Sequence, residues 1–272
     1  MDRRLTPFSG RVALPALRGA VPAEVFADGT AASVCKPLVD LLSRPNGARD
    51  RQLLWGDAVT VIDRQDGHVF VQAEKDGYCG WLVEGAVSDR VVPTHWVAAR
   101  SSHLYSGARV QAPDNHAMPF GARIKVLGLV GSFAETAQGY VPKSHVRALG
   151  DRPKDPVAVA EMFLGAPYLW GGNSAAGLDC SGLVQMAYLA CGLPCPADSD
   201  QQRAIGTPLG HEDALARGDL IFWKGHVAIV TGADYLIHAN GHTMTVAYEG
   251  ILDCISRIAA QDGGPVLERR RP

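Results

Sequence analysis

The residues best suited to chemistry in this 272-residue chain are one cysteine and two histidines. Cys180 follows Asp179 and opens the run Ser181-Gly182-Leu183-Val184-Gln185-Met186-Ala187-Tyr188-Leu189-Ala190, with Gly192 beyond it. Asp179 is a good helix N-cap, the apolar positions recur at helical spacing, and the glycine marks a stop. A thiol at that position meets unpaired backbone N–H groups and the positive end of the helix dipole, both of which favour the thiolate. Position alone is weak, because free cysteines are often just small buried hydrophobes. Two histidines downstream change the balance. His226 opens the β-rich run His226-Val227-Ala228-Ile229-Val230, and His238 lies twelve residues on, in Tyr235-Leu236-Ile237-His238-Ala239. Gly218-Asp219-Leu220-Ile221-Phe222-Trp223 precedes both, and Lys224-Gly225 and Gly232-Ala233-Asp234 read as the turns between strands. Adjacent antiparallel strands would bring both imidazoles to one face. The chemistry on offer is nucleophilic acyl transfer. An imidazole takes the thiol proton and returns it to the leaving amine, and a third polar group holds the ring.

Residues 153–262 resemble the NlpC/P60 family of papain-like cysteine peptidases, which act on bacterial cell-wall peptides. The resemblance is carried by five motifs in order: Pro167-Tyr168-Leu169-Trp170-Gly171-Gly172, Asp179-Cys180-Ser181-Gly182, Gly218-Asp219-Leu220-Ile221-Phe222, His226-Val227-Ala228-Ile229-Val230 and His238-Ala239. It implies an α+β catalytic domain with Cys180 as nucleophile, His226 as base and His238 as orienting third member. It further implies that the Tyr168 hydroxyl and the backbone N–H of Cys180 bind the oxyanion. Trp170, Asp179 and Ser181 fall beside the nucleophile as substrate-side residues. Read without the family, Tyr168 and Trp170 are core aromatics and His226 a satisfied core histidine. His242 reads as a loop residue without a role, and His211, beside Glu212 and Asp213, as a solvated surface group.

The elements that must position this constellation fall into four segments. Residues 1–45 read as an irregular N-terminal wrap, with a short helix over Ala31–Leu42 that Pro37 disfavours. A loose repeat follows: Leu54-Trp55-Gly56-Asp57-Ala58-Val59 parallels Pro119-Phe120-Gly121-Ala122-Arg123-Ile124, and Gly80-Trp81 parallels Gly139-Tyr140. The alternating strands and Gly, Asp and Asn turns resemble two bacterial SH3-type barrels, 46–97 and 98–149. The catalytic segment, 150–272, begins with a linker and a helix capped by Asp155, with Pro156 in its first turn and its end near Gly165.

Two barrels ahead of an NlpC/P60 domain resemble a subgroup that hydrolyses the bond between γ-D-glutamate and a diamino acid in murein tri- and tetrapeptides. In that subgroup the first barrel closes one end of the cleft, so the substrate must present a free N-terminal L-alanine. Asp198-Ser199 match the residues for that amine, and Asp198 also reads as a helix cap. Tyr78 matches an aromatic that reaches into the site from the first barrel, and Asp50 and Asp57 are both candidates for an acidic partner there. The alternatives are a broader wall endopeptidase or amidase, and a non-catalytic wall-binding protein.

Composition restricts the remaining classes. A net charge of −2 gives no electrostatic reason to expect nucleic acid or an anionic membrane as partner. The six cysteines are too sparse for a disulfide scaffold. Cys191 and Cys195 lack the second pair a zinc site requires, so neither metal nor other cofactor is expected. Residues 1–22 contain no apolar signal core; with Met1 as the start, the cytoplasm is the expected location. Oligomeric state is not legible.

Overall fold

The computed structural model describes residues 1–210, 212–261 and 263–272, so His211 lies outside the described residues. The chain divides into two units, Met1–Asp151 and Arg152–Pro272.

The first unit is β-rich. Its larger sheet has seven antiparallel strands in the order Arg49–Leu54, Leu38–Leu42, Cys79–Val83, His68–Ala73, Ala58–Gln65, Thr30–Val34, Val87–Asp89. The helix expected over Ala31–Leu42 is therefore two strands on either side of Pro37. Val39 and Leu41 are buried while Asp40 between them is exposed. That period of two prevails over the helical spacing, and proline interrupts the segment in either case. Thr30–Val34 and Leu38–Leu42, ahead of residue 46, thus belong to this sheet, while Val12–Ala13 and Val25–Phe26 pair as a separate two-stranded sheet. Val12, Ile62, Phe70, Cys79 and Trp81 pack together beneath it.

Residues 95–148 form two small sheets. One places His95–Val97 between Arg123–Ile124 and Val146–Ala148; the other has five strands, from Ser101 to Pro142. Gly56 and Gly121, aligned in the sequence repeat, both take positive φ, 78° and 85°. At Gly56 the need is also steric, because a Cβ would stand 2.0 Å from the Arg123 carbonyl oxygen.

The second unit contains α1 (Pro156–Glu161), α2 (Cys180–Ala190), α3 (Ser199–Gln202), β1 (Thr207–Pro208), β2 (Leu220–Trp223), β3 (His226–Val230), β4 (Tyr235–Asn240), β5 (Thr245–Gly250), α4 (Ile251–Ala260) and β6 (Glu268–Arg271). Its antiparallel sheet runs β1-β6-β2-β3-β4-β5. Every residue of β2 and all of Val227–Val230 are buried, as a sheet covered on both faces requires. On one face Ile221, Trp223, Ala228, Val230 and Leu236 pack against Ile251, Cys254 and Ile258 of α4. Helix α2 packs along β3 and β4, with α1 beside it. Asp155 caps α1 by accepting from the Val157 N–H at 2.9 Å, and Pro156 occupies the first turn. The helix ends at Glu161, short of Gly165. Among the described residues no helix is long and apolar enough to cross a membrane.

Candidate active site

Helix α2 begins where its capping chemistry says it should. Asp179 Oδ1 accepts from the Gly182 N–H at 2.6 Å and from the Ser181 hydroxyl at 3.1 Å, while Oδ2 accepts from the Gly171 N–H at 2.9 Å. One buried carboxylate thus starts the helix and also ties down the turn after Tyr168-Leu169-Trp170. The other end closes with a paired αL motif: Leu193 N–H bonds the Tyr188 carbonyl and Gly192 N–H that of Leu189, with Gly192 at φ 79°. Apart from Leu189, every residue of α2 is buried.

Cys180 stands at the first helical position, 7% exposed, with its thiol 3.9 Å from the carbonyl oxygen of Gly225. Gly225, at φ 72°, forms the two-residue turn with Lys224 that joins β2 to β3. The next residue is His226. Because β3 begins there, its ring lies at the rim of the sheet, at the same end as the α2 N-terminus. Trp223, 2% exposed, packs its indole against the His226 ring at 5.7 Å between centroids. The His226 Nε2 meets His238 Nδ1 at 2.9 Å. Burial pushes both imidazoles below their usual range, with Arg257 adding to the effect and Glu249 working against it. Both rings are therefore neutral at pH 7. A neutral pair sharing one proton between them can present a basic nitrogen to a neighbouring thiol.

Behind His238 lies a polar chain that local sequence signals did not reveal. His238 Nε2 is 3.1 Å from Glu249 Oε2, approached obliquely with respect to the ring N–H direction. The Arg257 guanidinium grips Glu249 with two bonds of 2.7 Å. It holds the Glu249 carboxyl below the usual carboxylate range. The sulfur of Cys254, three residues before Arg257 on α4, lies 3.8 Å from the same guanidinium. The strand register makes the connection, because Glu249 faces Leu236 and so sits diagonal to His238.

His238, Glu249 and Cys254 are a close group of metal-ligand types, their donor atoms within 4.8 Å of one another. The chemistry is unfavourable for a cation. Arg257 already supplies the positive charge at Glu249 and the sulfur, and burial pushes the Cys254 thiol up to about 12, keeping it protonated. All six cysteines are free thiols.

The remaining expected residues divide into two groups. Tyr168 is half-buried, with its N–H bonded to the Met244 carbonyl at 2.8 Å and a bridge to Leu178. Trp170 is 69% exposed, so it is no core aromatic. Asp198 occupies the N-cap position of α3 without a side-chain capping bond. Gln202, at the far end of α3, donates to the Ser181 carbonyl at 2.9 Å, which anchors the Asp198-Ser199 segment to the first turn of α2. Tyr78 belongs to the first unit, where it is buried. There Asp57 is buried, accepts from the Leu54 N–H and pairs with Lys75 at 2.6 Å, which makes it a loop brace. Asp50 is engaged by Arg3 through two hydrogen bonds. His242 is exposed, as a loop residue should be, and borders a recess of about 250 Å³ beside His226, together with Lys224, Asn240 and Arg257.

An α+β domain with a helix-borne thiol at the rim of an antiparallel sheet that carries two bonded imidazoles defines a papain-like hydrolase fold. Residues 165–253 match the NlpC/P60 family, and residues 41–87 match the bacterial dipeptidyl-peptidase SH3 domain. A Bacillus cereus (strain ATCC 10987 / NRS 248) protein named gamma-D-glutamyl-L-lysine dipeptidyl-peptidase is 40% identical over 227 residues, covering 70% of this chain and 67% of that protein. Its namesake in Bacillus subtilis (strain 168) is 28% identical over 215 residues, 69% of this chain and 71% of that one. The crystal structure of an NlpC/P60 family protein from Bacillus cereus ATCC 10987 aligns with a TM-score of 0.73 at 22% identity, over 89% of this chain and 99% of that one, a likeness of fold. This chain belongs to the NlpC/P60 family, a family of peptidases, and carries a bacterial SH3-type domain ahead of its catalytic domain.

Proposed function

We propose that this chain is a cysteine peptidase that hydrolyses the γ-D-glutamyl–diamino acid bond of murein stem peptides bearing a free N-terminal L-alanine, releasing L-Ala-γ-D-Glu. The observation that carries the proposal is the juxtaposition at the sheet rim. The Cys180 thiol lies 3.9 Å from the Gly225 carbonyl, the next residue is His226, and the far nitrogen of His226 meets His238 at 2.9 Å. The names of the Bacillus relatives and the matched dipeptidyl-peptidase SH3 domain support the substrate class.

In this reading His226 Nδ1 takes the thiol proton and the Cys180 sulfur attacks the γ-amide carbonyl. The tetrahedral oxyanion is held by the Cys180 backbone N–H and the Tyr168 hydroxyl. As it collapses, His226 passes the proton to the leaving amine of the diamino acid, and a thioester to L-Ala-γ-D-Glu remains. Water, deprotonated by His226, then attacks the thioester, and the thiol is regenerated. Trp170 and Ser181 flank the acyl group, and Asp179 holds the turn between them. Asp198, with Ser199 beside it, pairs with the protonated α-amine of alanine; a blocked or longer chain has no charge to offer it. Residues 98–149 serve as a second SH3-like module, and the enzyme recycles released peptides in the cytoplasm.

The test is incubation with L-Ala-γ-D-Glu-L-Lys, its meso-diaminopimelate analogue and the N-acetylated form of each, with products identified by mass. Release of L-Ala-γ-D-Glu from the free peptides alone is the expected result. Equal cleavage of the acetylated peptides would show an endopeptidase of polymeric wall, and no release from any of them would refute the substrate class.

A further inference from the structure

We infer that Glu249, held by Arg257, is a positioning residue that sets the tautomer of both active-site histidines and so decides which nitrogen of His226 is basic. The inference rests on the reading of His226 as the base of the proposed reaction.

The argument is one of proton counting. Neutral imidazole carries one N–H, and the 2.9 Å contact between His226 Nε2 and His238 Nδ1 has room for one proton. Two arrangements satisfy it. In the first, His226 donates from Nε2 and keeps Nδ1 bare, so it can accept a proton from the thiol. In the second, His238 donates from Nδ1, and neutral His226 must then carry its own proton on Nδ1, where it is useless as a base. Nothing within the histidine pair chooses between them.

Glu249 supplies the choice. Its Oε2 stands 3.1 Å from His238 Nε2. A carboxylate facing an imidazole lone pair is repelled, whereas one facing an N–H is attracted, and the oblique approach changes the strength of that preference but not its sign. With the proton on His238 Nε2, its Nδ1 is bare, His226 must donate from Nε2, and His226 Nδ1 is left free. The first arrangement follows.

Arg257 makes the carboxylate dependable. Its two bonds of 2.7 Å engage both oxygens, which fixes the rotamer of Glu249, and its charge keeps the group ionised. Cys254 adds no competing charge, since burial keeps its thiol protonated. Proximity to His242 also works against a charge on His238. The path His226–His238–Glu249–Arg257 therefore steps from β3 through β4 and β5 to α4.

The experiment reads the tautomers directly. Protein carrying Cys180→Ala is labelled with ¹⁵N at histidine, and the ring nitrogens are assigned near pH 7 with and without Glu249→Ala. His226 and His238 should both be Nε2–H tautomers in the parent, and Glu249→Ala should move both toward a mixture with Nδ1–H. Unchanged nitrogen shifts would overturn the role of Glu249. No substrate is present, so a wrong substrate class in the proposed function leaves this result untouched. With the thiol intact, Glu249→Ala should slow alkylation of Cys180 by iodoacetamide on the order of 10-fold, a part of the 10²- to 10⁴-fold that a positioned base supplies. Glu249→Gln, which retains an oxygen acceptor for His238 and suits a protein that tolerates alanine poorly, should recover part of that loss. Alkylation as fast in both variants as in the parent would overturn the inference.

Discussion

His226 and His238 stand diagonal to one another on neighbouring strands, and their ring nitrogens meet at 2.9 Å. The pairing Ile229↔Ile237, continued away from the turn that joins β3 to β4, sets His238 opposite Ala228, two residues past His226. His238 and Glu249 repeat the relationship on the next pair of strands, since His238 faces Ala247 and Glu249 faces Leu236. Diagonal neighbours lie farther apart at the backbone than directly facing ones, and only long or ring side chains bridge the gap. The sheet thus provides a slanted row in which each polar group reaches one strand further from the thiol.

Replacing Cys180 by alanine should abolish peptide hydrolysis, lowering kcat by about 10³-fold or more, while leaving the fold unchanged. Mass spectrometry of the products and circular dichroism check the two halves of this statement. Hydrolysis at the parent rate would remove the sulfur from the mechanism.

His238→Ala should lower kcat by about 10²- to 10⁴-fold with little change in KM, because the ring it holds acts on the transition state. His238→Asn retains a short polar side chain and should recover part of the loss. Steady-state kinetics of the two variants on one substrate decide the matter; a change confined to KM would assign His238 to binding.

Stability should depend on pH with a definite sign. Burial depresses both imidazoles in the folded protein, so below about pH 6.5 the unfolded chain binds more protons than the folded one. The contribution is complete above about pH 6.5 and declines as pH falls toward the folded-state values, by up to about 1.4 kcal/mol per pH unit for each ring. Urea unfolding between about pH 7.5 and pH 5 measures it, and the slope should flatten when His226 and His238 are both replaced by glutamine. A midpoint independent of pH would contradict the burial of the pair.

Asp179→Ala removes the acceptor for the Gly171 and Gly182 N–H groups in a buried setting. The expected cost is about 1–3 kcal/mol of unfolding free energy, with a loss of activity greater than stability alone explains as the Tyr168–Trp170 turn comes loose. Asp179→Asn keeps one oxygen acceptor and should fall between. Denaturant unfolding and kcat, measured on the same preparations, separate the two effects.

Much of the site was legible because its signals are local. An N-cap before an apolar helix and a glycine after it describe α2 almost to the residue, and a histidine after Lys224-Gly225 marks the start of a strand. Glu249 and Arg257 escaped notice because their roles depend on a diagonal across a sheet and on the face of a helix that follows it, neither of which shows in spacing. The segment 31–42 was misjudged because Val34, Leu38, Leu41 and Leu42 also fit a helical stripe; only the exposed Asp40 between buried Val39 and Leu41 reveals the strand. Asp57 looked available for a ligand amine until its partner Lys75 came into view eighteen residues later in the chain.

The helix that bears the sulfur is enclosed by protein on nearly every side, from its capped first turn to its αL close. Such a rod cannot tilt or slide without disturbing the whole interior, so the nucleophile has a fixed address. Any retuning toward other peptides must then fall to the walls around it, such as the protruding indole of Trp170 and the short turn bearing Asp198, where side chains change at little cost to the fold.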